Sequence, residues 1–600
     1  MNRNNNIKLY GVVLGCGLLG SDPAFTQTTE NAQSLYQEKC AYCHGDKGDG
    51  QSFAAHSMRI KPANFVSGEY KYRTTAYGQF PTDQDIEKSI KNGLPGTSMP
   101  AWSDLLSAEQ ITSLAQYLKG LSKKPTAYSA AIVAPTQKFA DANIADGKKV
   151  YQASGCINCH GVNLDGQEDR IARIKGNIKE GVAARDLTDY RNYRGGASLS
   201  DIYTRIYTGL NGTIMQGYGN VLTEKNIIDV SAYLKSVYDQ KEQTRWLDNS
   251  QKTMEERGDY LLSISTCELC HSTMSEDGSF KEGLSYAGGM KVISPADGEF
   301  YSRNITSDKD SGIGKWSTEQ LKRAIKYGET PDGGSLYAFT MPWLFFYNME
   351  DRDAEAIAHA LQRIPPIYNK IPPSKPAGLW QSFKTKTKVM FGQMERTLVF
   401  ARDNYGERNP EEGKTIPDFS SVRHWSILPP MGLVSADKVV KASGFELPAP
   451  KATGSKEMDA KLSRGRYLVA ITPCTLCHTP TTGKVIFKGG ESQSGGIKVE
   501  LNHFKTLYTA NLTSDKETGL GSWSDQEIRR AIRSGIKKDG ELMHFQGMPW
   551  AIFSNMTEAD TEAMIAYLRT LPPVYKKMPK VIPSNSPDYV IADEDHGIRK

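Results

Sequence analysis

Long apolar runs are missing from these 600 residues: no segment reaches the roughly 18 consecutive apolar side chains that a bilayer-spanning helix needs. Charge of one sign is missing too. The 73 Lys and Arg nearly balance 68 Asp and Glu, a net +5, and no basic run marks a nucleic-acid surface. Neither a dinucleotide fingerprint nor a flavin module is present, which excludes a self-contained dehydrogenase. Convincing runs of alternating strand residues are absent, so the chain reads as helix and loop, an all-α protein. Apolar residues make up only 38%, little from which to build the cores of so long a chain.

Cysteine is scarce as well, at 9, yet eight of the nine fall into one run: Cys40-x-x-Cys43-His44, Cys156-x-x-Cys159-His160, Cys267-x-x-Cys270-His271 and Cys474-x-x-Cys477-His478. With so few Cys and His, about two chains in a thousand would carry even one copy by chance. The run is the attachment signature of c-type haem: the thiols form thioethers to the vinyl groups and the histidine becomes the proximal iron ligand. Four copies imply four covalently bound haem c groups and one-electron chemistry. The alternative is zinc on cysteine pairs, with disulfides. Zinc does not require a histidine directly after the second cysteine, and one is present in all four copies. Haem also explains the low apolar content, because the macrocycle fills much of each core. Up to about eight propionate charges would come with it.

Residues 1–27 read as a signal segment, with Arg3 and Lys8 ahead of a short apolar stretch from Leu9 to Leu19. Export fits covalent haem attachment and places the protein in the periplasm or on the extracytoplasmic face of a bacterial membrane. Cys16, the odd cysteine, follows Val13-Leu14-Gly15 and resembles a lipobox, so it is a candidate for lipidation. The other reading is an ordinary signal peptide cut near residues 24–28.

The chain repeats itself twice. A shift of 116 carries Cys40 to Cys156, Gly93 to Gly209, Met99 to Met215 and Tyr117 to Tyr233. A shift of 207 carries Cys267 to Cys474, Asn304 to Asn511, Trp316 to Trp523, Met341 to Met548 and Pro365 to Pro572. The spacing predicts two pairs of domains, at 28–122 with 141–240 and at 250–370 with 456–580. In each, a helix leads into the motif and another closes the domain. Ser107 with Gln110, Ser317 with Gln320 and Ser524 with Glu527 have the spacing of capping boxes. Residues 371–455 form an insert too long for a loop and too aromatic for a linker, with Trp380, Phe383, Phe391, Phe400 and Trp425. Trp380, Phe383, Met390 and Met394 share one helix face. The insert reads as packing across domains three and four; a docking face for a partner is the sharper alternative.

The order helix, CxxCH, long loop, Met, closing helix resembles the class I cytochrome c fold. The resemblance implies that the first and last helices of each domain cross, with Gly147 against Tyr233 and Gly465 against Tyr567. Gly258 would face Ala360, a looser contact. It also implies Met99, Met215, Met341 and Met548 as distal iron ligands, opposite His44, His160, His271 and His478. The Met lies 55 residues after the His in both early domains and 70 after it in both late ones. Three of these Mets precede Pro; Met215 precedes Gln216, which leaves its loop less certain. Met349 and Met556 read as core. Histidine is the rival ligand, with His56, His359, His503 and His544 available outside domain two. Methionine ligation predicts potentials toward the positive side of the haem range. In the late pair, Trp316 and Trp523, and after them Asn304 and Asn511 twelve residues earlier, are candidates to hold haem propionates; a capped turn is the blander reading.

Residues 250–580 resemble the multihaem cytochrome subunits of membrane-bound alcohol and gluconate dehydrogenases, through GRYLVAITPCTLCHTP, NLTSDKETGLGSWS, the MPW strings and the LPPV ending. The resemblance implies an electron carrier between redox protein partners, with a dehydrogenase catalytic subunit as one candidate donor. The rival is a haem enzyme, a peroxidase or a sulfur-compound oxidase, acting where a distal ligand is open or displaceable, with domain two the first suspect.

Overall fold

Each motif follows the end of a helix. The leading helices run over Pro23–Lys39, Ile144–Ala153, Met254–Ile264 and Lys456–Ile471. Asn143 accepts from the amides of Ala145 and Asp146, Thr253 closes a capping box with Glu256, and Ser455 caps the last. The closing helices are Ala108–Gly120, Glu224–Glu242, Asp351–Arg363 and Glu558–Thr570. Between them lie Asp83–Asn92, Leu199–Thr208, Thr318–Tyr327 and Asp525–Ser534. The three expected capping boxes are formed, and Thr82 makes a further one with Asp85.

This computed structural model describes residues 23–128, 130–166, 184–242, 253–273, 280–294, 298–333, 336, 341–376, 397–400, 447–472, 474–480, 492–501, 505–545 and 547–579, with short strands at 582–583, 591–593 and 597–599. Residues 1–22 with Cys16, and Trp380, Phe383, Met390, Phe391, Met394, Trp425 and His503, lie outside the described residues.

Leading and closing helices cross closely in all four segments. A Cβ on Gly147 would stand 2.0 Å from the carbonyl oxygen of Asp229 and 2.9 Å from the Cβ of Tyr233. On Gly465 it would stand 1.9 Å from Ala563 O and 2.8 Å from the Cβ of Tyr567. The looser crossing expected at Gly258 is not found: its Cβ would meet Ala356 O at 2.1 Å. The closest approach is to backbone one turn earlier, so the side chain at 360 does not set it. In the first segment Tyr36 and in the second Tyr151 donate to Gly45 O and Gly161 O, both at 2.7 Å. These tyrosines are 115 apart rather than 116, because Gly155, at φ +79°, takes up one residue ahead of the second motif.

The late pair is not purely helical, a correction to the all-α expectation. Strands β1 (Lys291–Ser294) and β2 (Gly298–Tyr301) pair antiparallel, and β3 (Lys375–Pro376) lies beyond β2. The same arrangement returns 207 residues later as β5 (Lys498–Leu501), β6 (Lys505–Tyr508) and β7 (Ile582–Pro583). Strand β4 (Thr397–Phe400), from the insert, joins the halves into one sheet of order β3-β2-β1-β4-β5-β6-β7. Strands of two to four residues are too short for alternation to be read from sequence.

Packing separates the pairs. Segments one and two have separate cores, around Leu114 and Trp102, where Ile536 of segment four also packs, and around Ile227 and Tyr203. One apolar core runs through segments three and four, from Leu261, Ile264, Phe345 and Ile357 to Leu468, Ile471, Phe553 and Ile565. Met349 and Met556 are buried in it, as their position suggested.

Candidate functional site

The four motif histidines are held alike. The Nδ1 of His44 faces Ala63 O at 3.1 Å, that of His160 faces Arg185 O at 3.1 Å, that of His271 faces Arg303 O at 2.7 Å and that of His478 faces Ala510 O at 2.7 Å. A carbonyl cannot donate, so Nδ1 carries the proton and Nε2 keeps its lone pair for a metal. Burial pushes each imidazole pKa down, favouring this neutral form, against the carbonyl bond that opposes it. The eight motif cysteines are half-buried free thiols. Among the described residues no three His, Cys, Asp or Glu converge as metal ligands, the arrangement zinc would require.

The methionine loops repeat in detail. Met99 N donates to Thr97 Oγ1 at 3.0 Å and Met215 N to Thr213 Oγ1 at 3.1 Å. The Met99 and Met215 carbonyls accept from Leu94 N and Leu210 N at 3.0 and 2.8 Å. Gly93 and Gly209 both sit at φ +65° where a Cβ would strike the loop. Gln216 in place of Pro100 therefore leaves the path of the chain unchanged, and the reason to single out segment two disappears. In the late pair, Trp343 Nε1 donates to Leu336 O at 3.1 Å and Trp550 Nε1 to Met543 O at 3.2 Å. These indoles are almost wholly buried and clamp the Met341 and Met548 loops. The MPW strings contained this signal, but the tryptophan's role follows only from the carbonyl it reaches.

The rival histidines are placed as follows. His56 Nε2 faces Ser285 Oγ at 3.2 Å and Glu268 at 3.4 Å, in a cavity of about 270 Å³ between segments one, three and four. His359 is half-buried on a helix beside Glu355. The main-chain oxygen of His544 accepts from Met548 N at 2.9 Å.

Asn304 and Asn511 are buried, and their amides are spent on protein. Asn304 donates to Ser311 Oγ at 2.9 Å and Ile367 O at 2.7 Å, and accepts from Thr306 N and Oγ1. Asn511 donates to Thr518 Oγ1 at 3.1 Å and Val574 O at 2.7 Å, and accepts from Thr513 N and Oγ1. Two donors and two acceptors fill an amide, so nothing remains for a propionate. Trp316 and Trp523 are half-buried against the shared core.

Several motifs approach one another. Cys43, Cys270 and Met548 flank one apolar cluster, centred on Met58, Met290, Phe545 and Trp550. The Tyr42 and Trp550 rings are 5.6 Å apart. Cys477 feels Cys270: burial first, then Cys474 and Cys270, push its thiol up to about 12. Covalent haem fits such sites: paired free thiols, a histidine with a spare nitrogen, and shielded cationic nitrogens that lack an anion, among them Nε of Arg194 and Arg205.

Comparison with known proteins agrees. The family described as cytochrome c oxidase, cbb3-type, subunit III matches residues 27–118, and cytochrome c matches residues 144–238. The chain is 26% identical over 334 residues to the gluconate 2-dehydrogenase cytochrome c subunit of Pantoea cypripedii, covering 54% of this chain and 61% of that protein. It is 26% identical over 330 residues to the alcohol dehydrogenase (quinone), cytochrome c subunit, of Gluconacetobacter polyoxogenes, covering 53% and 56%. It is 24% identical over 323 residues to a diheme cytochrome c-type protein of Cereibacter sphaeroides, covering 53% and 86%. The chain thus spans about three-fifths of the length of the first two. Among the described residues no helix is long and apolar enough to cross a membrane.

Proposed function

We propose that the chain is a c-type cytochrome, a tetrahaem electron relay of the bacterial cell envelope, built of four cytochrome c domains in two pairs and serving as the electron-transfer subunit of a dehydrogenase. The observation that carries this reading is the fourfold identity of the sites: two free thiols beside a histidine whose Nδ1 is tied to a carbonyl. Bound haem supplies a reversible one-electron couple at iron. The protein's own part is to hold and shield. Cys40, Cys43, Cys156, Cys159, Cys267, Cys270, Cys474 and Cys477 would tether the macrocycles, and His44, His160, His271 and His478 would offer Nε2 to the irons. Met99, Met215, Met341 and Met548 would offer thioether sulfur, on loops fixed by Thr97, Thr213, Trp343 and Trp550. A thioether opposite imidazole stabilises ferrous iron, so the potentials lie toward the positive side of the haem range. The partner is then a redox protein that gives electrons to the chain, and export of the chain places both in the envelope.

Carbon monoxide binding to the fully reduced, haem-loaded protein tests the relay. No binding is expected, because every iron keeps a protein ligand on each side. Stoichiometric binding at one haem would instead make that site a reaction centre. Haem content by the pyridine haemochrome assay is expected at four per chain.

A further inference from the structure

Two half-buried arginines at the junction of segments one and two lack a partner for part of their donor set. The Nε atoms of Arg194 and Arg205 are shielded from solvent and make no hydrogen bond. Neighbouring Arg73 shows the satisfied case: its nitrogens donate to Ala76 O at 3.2 Å, Gly209 O at 3.2 Å and Thr208 O at 2.9 Å. Arg191 is satisfied too, by Asp189, Glu242 and Glu562. Arg205 instead lies 5.3 Å from the centre of the Tyr72 ring and donates to the main-chain oxygens of Lys71 and Arg73. Arg194 lies beside the Tyr72 side chain. Its Nε is 3.8 Å from where a Cβ would stand on Gly96, in the Met99 loop. Gly195 keeps the space clear, since a Cβ there would come within 2.9 Å of Arg205 and 3.0 Å of Tyr72.

Among the described residues, the carboxylates near this pocket already have partners. The carboxylates that bear on Lys71 and Arg205 are Glu69, Asp85 and Asp201. Glu69 is paired with Lys124 at 2.9 Å, Asp201 with Lys88 at 2.8 Å, and Asp85 accepts from Thr74 and Thr82. Burial alone would raise the Tyr72 phenol, but Arg185, Arg194, Lys71 and Arg205 bring it below its ordinary value. Buried guanidinium groups persist when an anion pairs them.

We propose that this pocket receives propionate carboxylates from the haem groups of both segments, so that Arg194 and Arg205 join the two cofactors across the junction. The proposal rests on the haem reading of Cys40, Cys43 and His44 and of Cys156, Cys159 and His160. The pocket touches both sites: Arg194 reaches the Met99 loop, and Arg185, whose carbonyl holds His160, borders Tyr72. Planar guanidinium forks suit carboxylates. Positive charge at the propionates favours the reduced iron, so both arginines raise both potentials.

The test uses the full haem-loaded chain. Four haems per chain by pyridine haemochrome is the starting condition; fewer would overturn the haem reading itself and this proposal with it. In Arg194→Gln and Arg205→Gln, spectroelectrochemical titration is expected to show two of the four midpoints lowered and two unmoved, with Arg194→Lys and Arg205→Lys restoring most of the shift. Four unmoved midpoints, or a shift in one alone, would sink the shared pocket. Should the Gln variants fail to accumulate, resonance Raman of the Lys variants decides. Propionate bending modes displaced from wild type support the contact, and unchanged modes refute it.

Discussion

The early pair of segments meets through loops and guanidinium groups, while the late pair meets through a common apolar core. In the early pair, Arg73 of one segment braces Thr208 and Gly209 of the other, and Arg205 reaches back to the carbonyls of Lys71 and Arg73. In the late pair the reciprocal contact runs from phenol to carboxylate. Tyr260 of segment three donates to Asp560 of segment four at 2.5 Å, and Tyr467 of segment four donates to Asp353 of segment three at 2.5 Å. Each aspartate also holds its own leading helix, Asp353 through Arg257 and Asp560 through Arg464 at 2.8 Å. Burial and then the facing carboxylate raise the pKa of both tyrosines, so they stay donors at any physiological pH. One fold has thus been doubled by two interface chemistries. The late solution makes a single cooperative body; the early one leaves two bodies and a cationic seam.

The comparison can be broken most severely at the reciprocal aspartates. Asp353→Asn or Asp560→Asn leaves a buried arginine half-paired and is expected to destabilise the late pair by about 3–5 kcal/mol. The two changes should not be additive, since both weaken one interface; chemical denaturation read in the Soret band checks this. Arg73→Met in the early pair removes three bonds to carbonyls and is expected to cost about 2 kcal/mol, with loss of the Thr208–Thr213 loop position but no change in the late pair. Additive behaviour of the aspartates, or spread of the Arg73 effect, would erase the distinction.

A smaller effect is expected inside one site. Trp343→Phe keeps the ring but loses the bond to Leu336 O, a cost of about 1 kcal/mol. The freed loop should admit carbon monoxide at segment three, while Trp550→Phe does the same at segment four. The smallest effect is electrostatic. Burial would raise the Asp83 carboxyl, but bonds from Lys119 and Gln116 outweigh it and hold its pKa below the ordinary value. A carboxyl depressed in the folded state adds stability that is full above the unfolded value, about 4, and is lost as pH falls through the folded value. Asp83 is partly exposed, so Asp83→Asn should cost less than about 1 kcal/mol near neutrality and flatten the acid limb of the early pair's urea transitions.

What sequence alone revealed was mostly local or periodic. The motifs, the capping boxes and the paired Met spacings each lie within one segment, where spacing and geometry are tied. The histidine partners were harder: His44 looks to a carbonyl 19 residues on and His160 to one 25 residues on, an offset regained before the next helix. Contacts across segments left a trace that was not read. Tyr260 and Tyr467 recur at the 207 shift, polar residues on helices otherwise turned to the core, and their partners lie 300 and 114 residues away. Asn304 and Asn511 recur at the same shift but hold turns, because recurrence marks any demanding position, whether its partner is cofactor or backbone. The arginine seam had no periodic signature: the 116 shift sets Gly78 against Arg194 and Ser89 against Arg205.

The strand from the insert deserves a last consequence. Strand β4 runs antiparallel to β1 and parallel to β5. A two-fold axis would need the strand lying on it to point both ways, and a polypeptide points one way. The two ladders differ accordingly, in narrow and wide pairs on one side and even slanted bonds on the other. The doubled half of the molecule thereby acquires a head and a tail, a polarity that repetition by itself could never supply.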